Sequence, residues 1–239
     1  MTPRTSTVDL DALDLGRVDP AGMLATVEAS GDQWDAALAI ARGVRDPRHG
    51  RIRSVVVCGM GGSGIAADVA RAVAFHHGTG VPVIPAKGYT LPAWIGPQTL
   101  VVGVSFSGGT EETRACLEQA RQARAQIAVV TSGGHIGAVA GERGWATVEI
   151  PGGGQPRANL AYLSVPVLGL LEAAGVVKGA LDTLGGVGDH VRAAADAWRH
   201  DVPSDDNAVK QAALALDGLV PVFYGGAGLP ALVAQRAKC

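Results

Sequence analysis

An α/β fold, a doubly wound parallel sheet with helices on both faces, is predicted by three observations on this chain. Short apolar runs rich in Val and Ile alternate with helix-length segments between Ile52 and Ile150. Two of those runs lead into loops of glycine and hydroxyl residues, Gly59–Gly64 and Ser105–Thr110. The composition is 47% apolar but only 4% aromatic, with 34 glycines. Small side chains of this kind let helices pack closely on a parallel sheet and suit an all-β sandwich poorly. At 239 residues the chain exceeds a typical domain of about 100–200 residues, so one full unit and a smaller one are expected.

The elements follow in order. Residues 1–50 read as a helical lead-in: Asp19-Pro20 starts one element, and Trp34, Leu38 and Ala41 recur at helical spacing before Arg45-Asp-Pro breaks the pattern. Residues 51–175 form the main unit. Strands are predicted at Ile52–Cys58, Val81–Ile84, Thr99–Val104, Ile127–Val130 and Ala146–Ile150. Helices are predicted at Ser63–Phe75, Glu111–Arg124 and Gly137–Arg143, and Leu160, Leu163, Val167, Leu168 and Leu171 give one more an apolar face. Strands separated by helices of this length imply right-handed crossovers. Residues 176–218 read as connecting helices broken at Val202-Pro203-Ser-Asp-Asp. Leu219–Tyr224, Gly225-Gly-Ala-Gly and an Ala/Leu-rich helix repeat the order of Val55–Val69, so 219–239 read as the incomplete start of a second similar domain. The chain stops at Cys239 without a C-cap glycine, as an unfinished chain would.

Bulk properties narrow the partners. A net charge of −2 provides no electrostatic reason to expect nucleic acid or an anionic membrane. Cys58, Cys116 and Cys239 have no metal-ligand spacing, and their odd number argues against a disulfide framework, so reduced thiols and no metal are expected. The first residues lack the apolar stretch of a signal peptide, and no run approaches the roughly 18 apolar residues of a membrane span. A cytoplasmic protein is expected.

The most informative stretch is TLVVGVSFSGGTEET, Thr99–Thr113. A buried strand runs into Ser105, Ser107 and Thr110, and a helix starts at once. Hydroxyls and unpaired first-turn amides at the positive end of a helix make a socket for an anion, here a phosphate. The loop has no Lys or Arg, so the socket itself is uncharged. Hydrogen bonds to charged groups contribute about 1.5–3 kcal/mol each, and association costs roughly 4–15 kcal/mol. Such a loop alone binds weakly, and the rest of the ligand must be held elsewhere. An ordinary turn whose hydroxyls cap the helix is the alternative.

Gly59-Met60-Gly61-Gly62-Ser63-Gly64 fits G-x-G-x-x-G after a strand, which raises a dinucleotide site. That fingerprint expects an acidic residue about 20 positions on, at the end of the next strand. Here Pro85-Ala-Lys87 stands there, and Asp68 comes too early. Close approach is the better account: Gly61 and Gly62 let a polyhydroxylated ligand lie against the backbone, and Ser63 adds a hydroxyl. Both loops follow strand carboxyl ends and face one crevice.

Together, GMGGSGIAAD at Gly59–Asp68, SFSGGTEET at Ser105–Thr113 and PRANLAY at Pro156–Tyr162 resemble the bifunctional phosphoglucose/phosphomannose isomerases of the sugar isomerase (SIS) domain superfamily. Asp19-Pro-Ala-Gly-Met23-Leu24 also looks like that family's opening helix. The resemblance implies an SIS-type, flavodoxin-like three-layer sandwich, two SIS domains per subunit and a homodimer at full length. It implies an aldose–ketose isomerase without a cofactor, converting glucose or mannose 6-phosphate to fructose 6-phosphate through a cis-enediolate. Carried over by motif, Ser105, Ser107 and Thr110 would grip the 6-phosphate, and Gly61, Gly62 and Ser63 would line the sugar. Arg157 would be catalytic, its permanent charge stabilising the developing oxyanion.

Several positions depart from the family pattern. Gly109 stands where Asn is usual; Gly64, Ala66, Ala67, Asn159 and Ala161 alter the first and third motifs. In the family a glutamate base lies just past a segment resembling Gln235–Cys239, and a histidine and a lysine follow later. No carboxylate here matches that base, so the chain is expected to bind substrate but turn it over little. Glu111 and Glu112 suit the helix dipole instead. Of the six histidines, only His135 is a candidate to face the crevice. A non-catalytic SIS module that senses a sugar phosphate is the second reading. Such regulators usually carry a basic helix-turn-helix, and residues 1–50 show none.

Overall fold

The computed structural model describes residues 8–238. Three helices precede the sheet: α1 (Leu15–Val18), α2 (Met23–Glu28) and α3 (Ser30–Arg42). The predicted start at Asp19-Pro20 has a physical basis, because the Asp19 carboxylate accepts hydrogen bonds from the amides of Met23 at 2.9 Å and Leu24 at 2.8 Å. The Leu24 and Met23 amides hold the Asp19 carboxyl below its usual range, as N-terminal capping by an anion should.

Alternation then begins with β1 (Ser54–Cys58), α4 (Gly61–His77), β2 (Val83–Ala86), β3 (Thr99–Ser105) and α5 (Glu111–Gln122). It continues through β4 (Gln126–Thr131), α6 (Gly134–Arg143), β5 (Ala146–Glu149) and α7 (Leu160–Ala173). The five strands are all parallel, in the order β2-β1-β3-β4-β5. Val57 lies opposite Val102 and Cys58 opposite Gly103, which brings the ends of β1 and β3 side by side at the point where the strand order reverses.

Side-chain alternation sorts the core into two layers. Val55, Val57, Leu100, Val102 and Val104 join the apolar faces of α3, α4 and α7. Val56, Val101, Ile127 and Val129 meet Cys116 and Leu117 of α5 and Ile136 and Ala140 of α6. Every residue of β3 is buried, which explains its unbroken apolar run. Within it, Gly103 is a packing requirement: a Cβ there would come within 2.9 Å of Leu117.

Beyond the sheet lie α8 (Val187–Ala197), α9 (Ala208–Leu216) and α10 (Leu229–Lys238). Arg192 of α8 pairs with Asp32 and Asp35 of α3 and with Asp189. The lead-in is strapped to the far end of the described chain, since Asp11 accepts from the Ser204 amide and hydroxyl and from Lys210 Nζ.

Several predicted boundaries shift, and one predicted strand is absent. The second strand lies at Val83–Ala86 rather than Val81–Ile84, because pairing with Val55–Cys58 fixes its register. Helix α6 starts at Gly134, three residues early. The strand expected at Leu219–Tyr224 does not form; Val220 and Tyr224 are 90% and 91% exposed. It pairs with no strand among the described residues, and an isolated strand cannot satisfy its own ladder of amides and carbonyls. Cys239 falls outside the described residues. Among those described, no helix is long and apolar enough to cross a membrane.

Candidate functional site

The loop after β3 and the start of α5 form the centre of the site. Ser105 is fully buried, and its hydroxyl lies 2.8 Å from that of Thr110. Ser107 is exposed, and its hydroxyl accepts the Gly109 amide at 3.3 Å. None of the three side chains caps the helix. Among the described residues the amides of Glu111, Glu112 and Thr113 have no acceptor, and the first intrahelical bond is that of Arg114 to the Thr110 carbonyl. Three orphan donors therefore remain at the positive end of α5, which is the condition for holding an anion. The Thr113 hydroxyl, buried in the same first turn, also lacks a partner.

Glycine chemistry shapes the loop. Gly108 and Gly134 both have positive φ, +67° and +63°, and a Cβ on either would lie within about 2 Å of a carbonyl oxygen of the other's loop, Gly133 O at 1.9 Å and Ser107 O at 2.2 Å. The loops after β3 and β4 are thus pressed backbone to backbone. Ser132 strengthens the junction by donating from its amide and hydroxyl to the Phe106 carbonyl.

The first glycine loop reaches the same place. Ser63 Oγ accepts the Phe106 amide at 3.3 Å, which stitches the start of α4 to the end of β3. A Cβ at Gly62 would stand 3.0–3.1 Å from backbone atoms of Pro156 and Arg157. So Gly62 is glycine because the Pro156–Ala158 turn lies directly on it. Gly61, at φ +52°, has open space where a Cβ would be. The Arg157 side chain is exposed, and its turn is tied from within by Asn159 Nδ2 to the carbonyl of Gln155 at 2.9 Å.

All seven residues singled out by sequence therefore converge, with different degrees of freedom. Ser107, Thr110 and Gly61 remain open to a ligand, and Arg157 is free at the rim. Ser63, Ser105 and Gly62 are largely committed to holding the loops together.

Lys87, directly after β2, completes the rim. It forms an ion pair with Asp68 of α4, whose side chain is only 13% exposed. Its stem runs beside Gly64 at the start of α4. This pairing also accounts for Asp68, which the dinucleotide fingerprint could not use. Nearby, the charge of Glu112, partial burial and Glu111 raise the phenol of Tyr89 above its usual range. His135 does not face the crevice. As the second residue of α6 it lines a cavity of about 490 Å3 between α5 and α6 with Glu111, Arg114, Arg143 and Trp145.

Beneath the site, Cys58 at the end of β1 touches Cys116 of α5. The contact with Cys116 and complete burial push the Cys58 thiol up, and the same contact pulls the Cys116 thiol down. Both are free thiols. Among the described residues no group of His, Cys, Asp and Glu has the arrangement of a metal site.

Residues 51–136, which hold the first four strands and both glycine loops, match the sequence pattern of the SIS domain. Bifunctional phosphoglucose/phosphomannose isomerases are among the chain's relatives. The chain is 33% identical to that enzyme of Caldicellulosiruptor bescii over 187 residues, covering 78% of this chain and 55% of the relative. It is likewise 33% identical to that of Aquifex aeolicus over 186 residues, covering 78% and 54%. The chain spans about half the length of these relatives. In structure it resembles the tagatose-6-phosphate ketose/aldose isomerase of Escherichia coli, with a TM-score of 0.56 at 16% identity over 99% of this chain and 64% of that one. At that identity the likeness shows the fold alone.

Proposed function

We propose that this chain carries the phosphate- and sugar-binding half of an aldose–ketose isomerase acting on glucose or mannose 6-phosphate and fructose 6-phosphate. The observation that carries the reading is the set of three unpartnered amides at the start of α5, flanked by the Ser107 and Thr110 hydroxyls. A phosphate dianion satisfies such donors without a basic clamp. The open face at Gly61 then takes the hydroxylated chain, and Arg157 lies beside the carbons between which the proton moves. As that proton leaves, charge develops on the neighbouring oxygen, and a guanidinium that cannot deprotonate lowers the barrier.

In this reading residues 51–175 are the first SIS domain and 219–239 the start of a second, which would bring the base and complete a homodimer. No carboxylate of this chain is assigned that role. The sequence similarity to named isomerases supports the reaction class.

Thermal unfolding tests the reading: fructose 6-phosphate should raise the midpoint while NAD leaves it unchanged. A shift with NAD alone would overturn it. A coupled assay then separates the two SIS readings. An isomerase half gives slight turnover that Arg157→Met abolishes, and a sensing module gives none.

A further inference from the structure

One side chain at the site was not foreseen from motifs. Arg236 of α10 reaches across the fold, and its Nη2 donates to the carbonyl oxygen of Arg157 at 2.5 Å. It lines the same small recess as Gly62, Pro156, Arg157 and Leu160, and a neighbouring recess that Trp34 and Arg157 also border. Among the described residues neither arginine has a carboxylate within ion-pair distance. Arg236 thus meets the backbone of Arg157, which leaves the exposed Arg157 guanidinium unengaged by this contact.

The turn that carries Arg157 needs an external hold. It follows Gly152, Gly153 and Gly154, the last two at φ +94° and +69°, and residues 151–155 are exposed. Asn159 ties it from inside. On the outer side, Arg236 is the side chain that grips its carbonyl.

We infer that Arg236 is a positioning residue for Arg157: it clamps the Pro156–Ala158 turn onto Gly62 and so aims the Arg157 guanidinium at the oxyanion of the reacting sugar. This rests on the isomerase reading above. A guanidinium suits the task because one N–H can serve the carbonyl while four donors and the charge remain. Misplacement of such a group by about 1 Å can cost up to roughly a hundredfold in rate.

The test is a double-mutant cycle on ligand binding with Arg236→Met and Arg157→Met. Two ligands are used: fructose 6-phosphate, and 5-phosphoarabinonate, whose carboxylate imitates the planar, charged enediolate. Arg236→Met should weaken the carboxylate ligand about tenfold, fructose 6-phosphate distinctly less, and neither any further once Arg157 is Met. Arg236→Lys, which keeps a charged donor for the carbonyl, should recover most of the affinity. Equal losses for the two ligands, an undiminished loss in the Arg157→Met background, or a Lys variant as weak as the Met one overturns the inference. If the unsubstituted chain binds neither compound, the isomerase reading falls and takes this inference with it. If it binds both and Arg236→Met changes neither, the inference alone falls.

Discussion

The hydroxyls of Ser105 and Thr110 lie 2.8 Å apart at the mouth of α5, yet neither closes on the helix. Ser105 is buried and Thr110 only partly so, so the pair acts as an anchor with one accessible end. Thr110 can turn its second hydrogen-bonding capacity toward a ligand while Ser105 holds it in place. This relationship separates residues that touch a ligand from residues that support those that do.

Ser107→Ala is accordingly the cleaner probe of ligand binding. Its hydroxyl is exposed and serves only the Gly109 amide, so the fold should keep its melting temperature. Loss of one hydrogen bond to a charged group of about 1.5–3 kcal/mol should weaken fructose 6-phosphate by roughly 10- to 150-fold. Calorimetric titration reads the change, and unaltered affinity would mean that the hydroxyl does not meet the phosphate.

Thr110→Ala should act on both properties. It removes a ligand donor and also orphans the buried Ser105 hydroxyl, at about 1–3 kcal/mol of stability. Replacing Ser105 as well, by Ala, should restore part of that stability without restoring binding. Urea unfolding of the single and double variants checks this, and a double variant less stable than Thr110→Ala contradicts it.

Two glycines of the loops make predictions of different size. Gly108→Ala places a Cβ 1.9 Å from the Gly133 carbonyl oxygen at φ +67°, so strain and overpacking should cost roughly 2–5 kcal/mol. Gly61→Ala meets only open space at φ +52°, and should cost about 1–2 kcal/mol from the left-handed backbone alone. Equal melting temperatures for the two variants would show that the loops after β3 and β4 can separate freely.

Acid should release the lead-in strap before the sheet. The Asp11 carboxyl is lowered from 3.8 to about 2, chiefly by the Lys210 side chain and then by the Ser204 amide. A depressed carboxyl contributes stability that is complete above its unfolded value and is lost as pH falls through the folded one. The window is therefore from about pH 4 down to about pH 2. Hydrogen exchange at Ser204 should accelerate over that range in the unsubstituted chain, whereas Asp11→Asn should exchange quickly at neutral pH and show no such transition.

The ion pair at the rim predicts an asymmetry. Lys87→Met leaves the largely buried Asp68 carboxylate without its main partner, since Arg71 stands 3.9 Å away and is mostly exposed. Its cost should be about 1–3 kcal/mol. Adding Asp68→Asn should recover part of it, because an uncharged amide is cheaper to bury than a lone carboxylate. A melting series over the three variants measures the recovery, and a double variant weaker than Lys87→Met refutes it.

The sequence by itself determined the layered α/β architecture, the order of strands and helices in the main unit and the residues that gather at its switch point. These are legible because burial on both faces demands continuous apolar strands, and helix starts after such strands leave donors that only small or hydroxylated residues accommodate. Tertiary structure alone decided which of those residues are free. Ser63, Ser105 and Gly62 turn inward because loops distant in sequence press on them, and His135, the second residue of α6, lines the cavity between α5 and α6. It also decided the fate of Leu219–Tyr224, whose pattern calls for a strand but which pairs with no strand among the described residues. Arg236 meets Arg157 across 79 positions, a separation over which local pattern carries no information. Periodicity is a property of neighbours along the chain, whereas a hydrogen-bond partner is a property of neighbours in space.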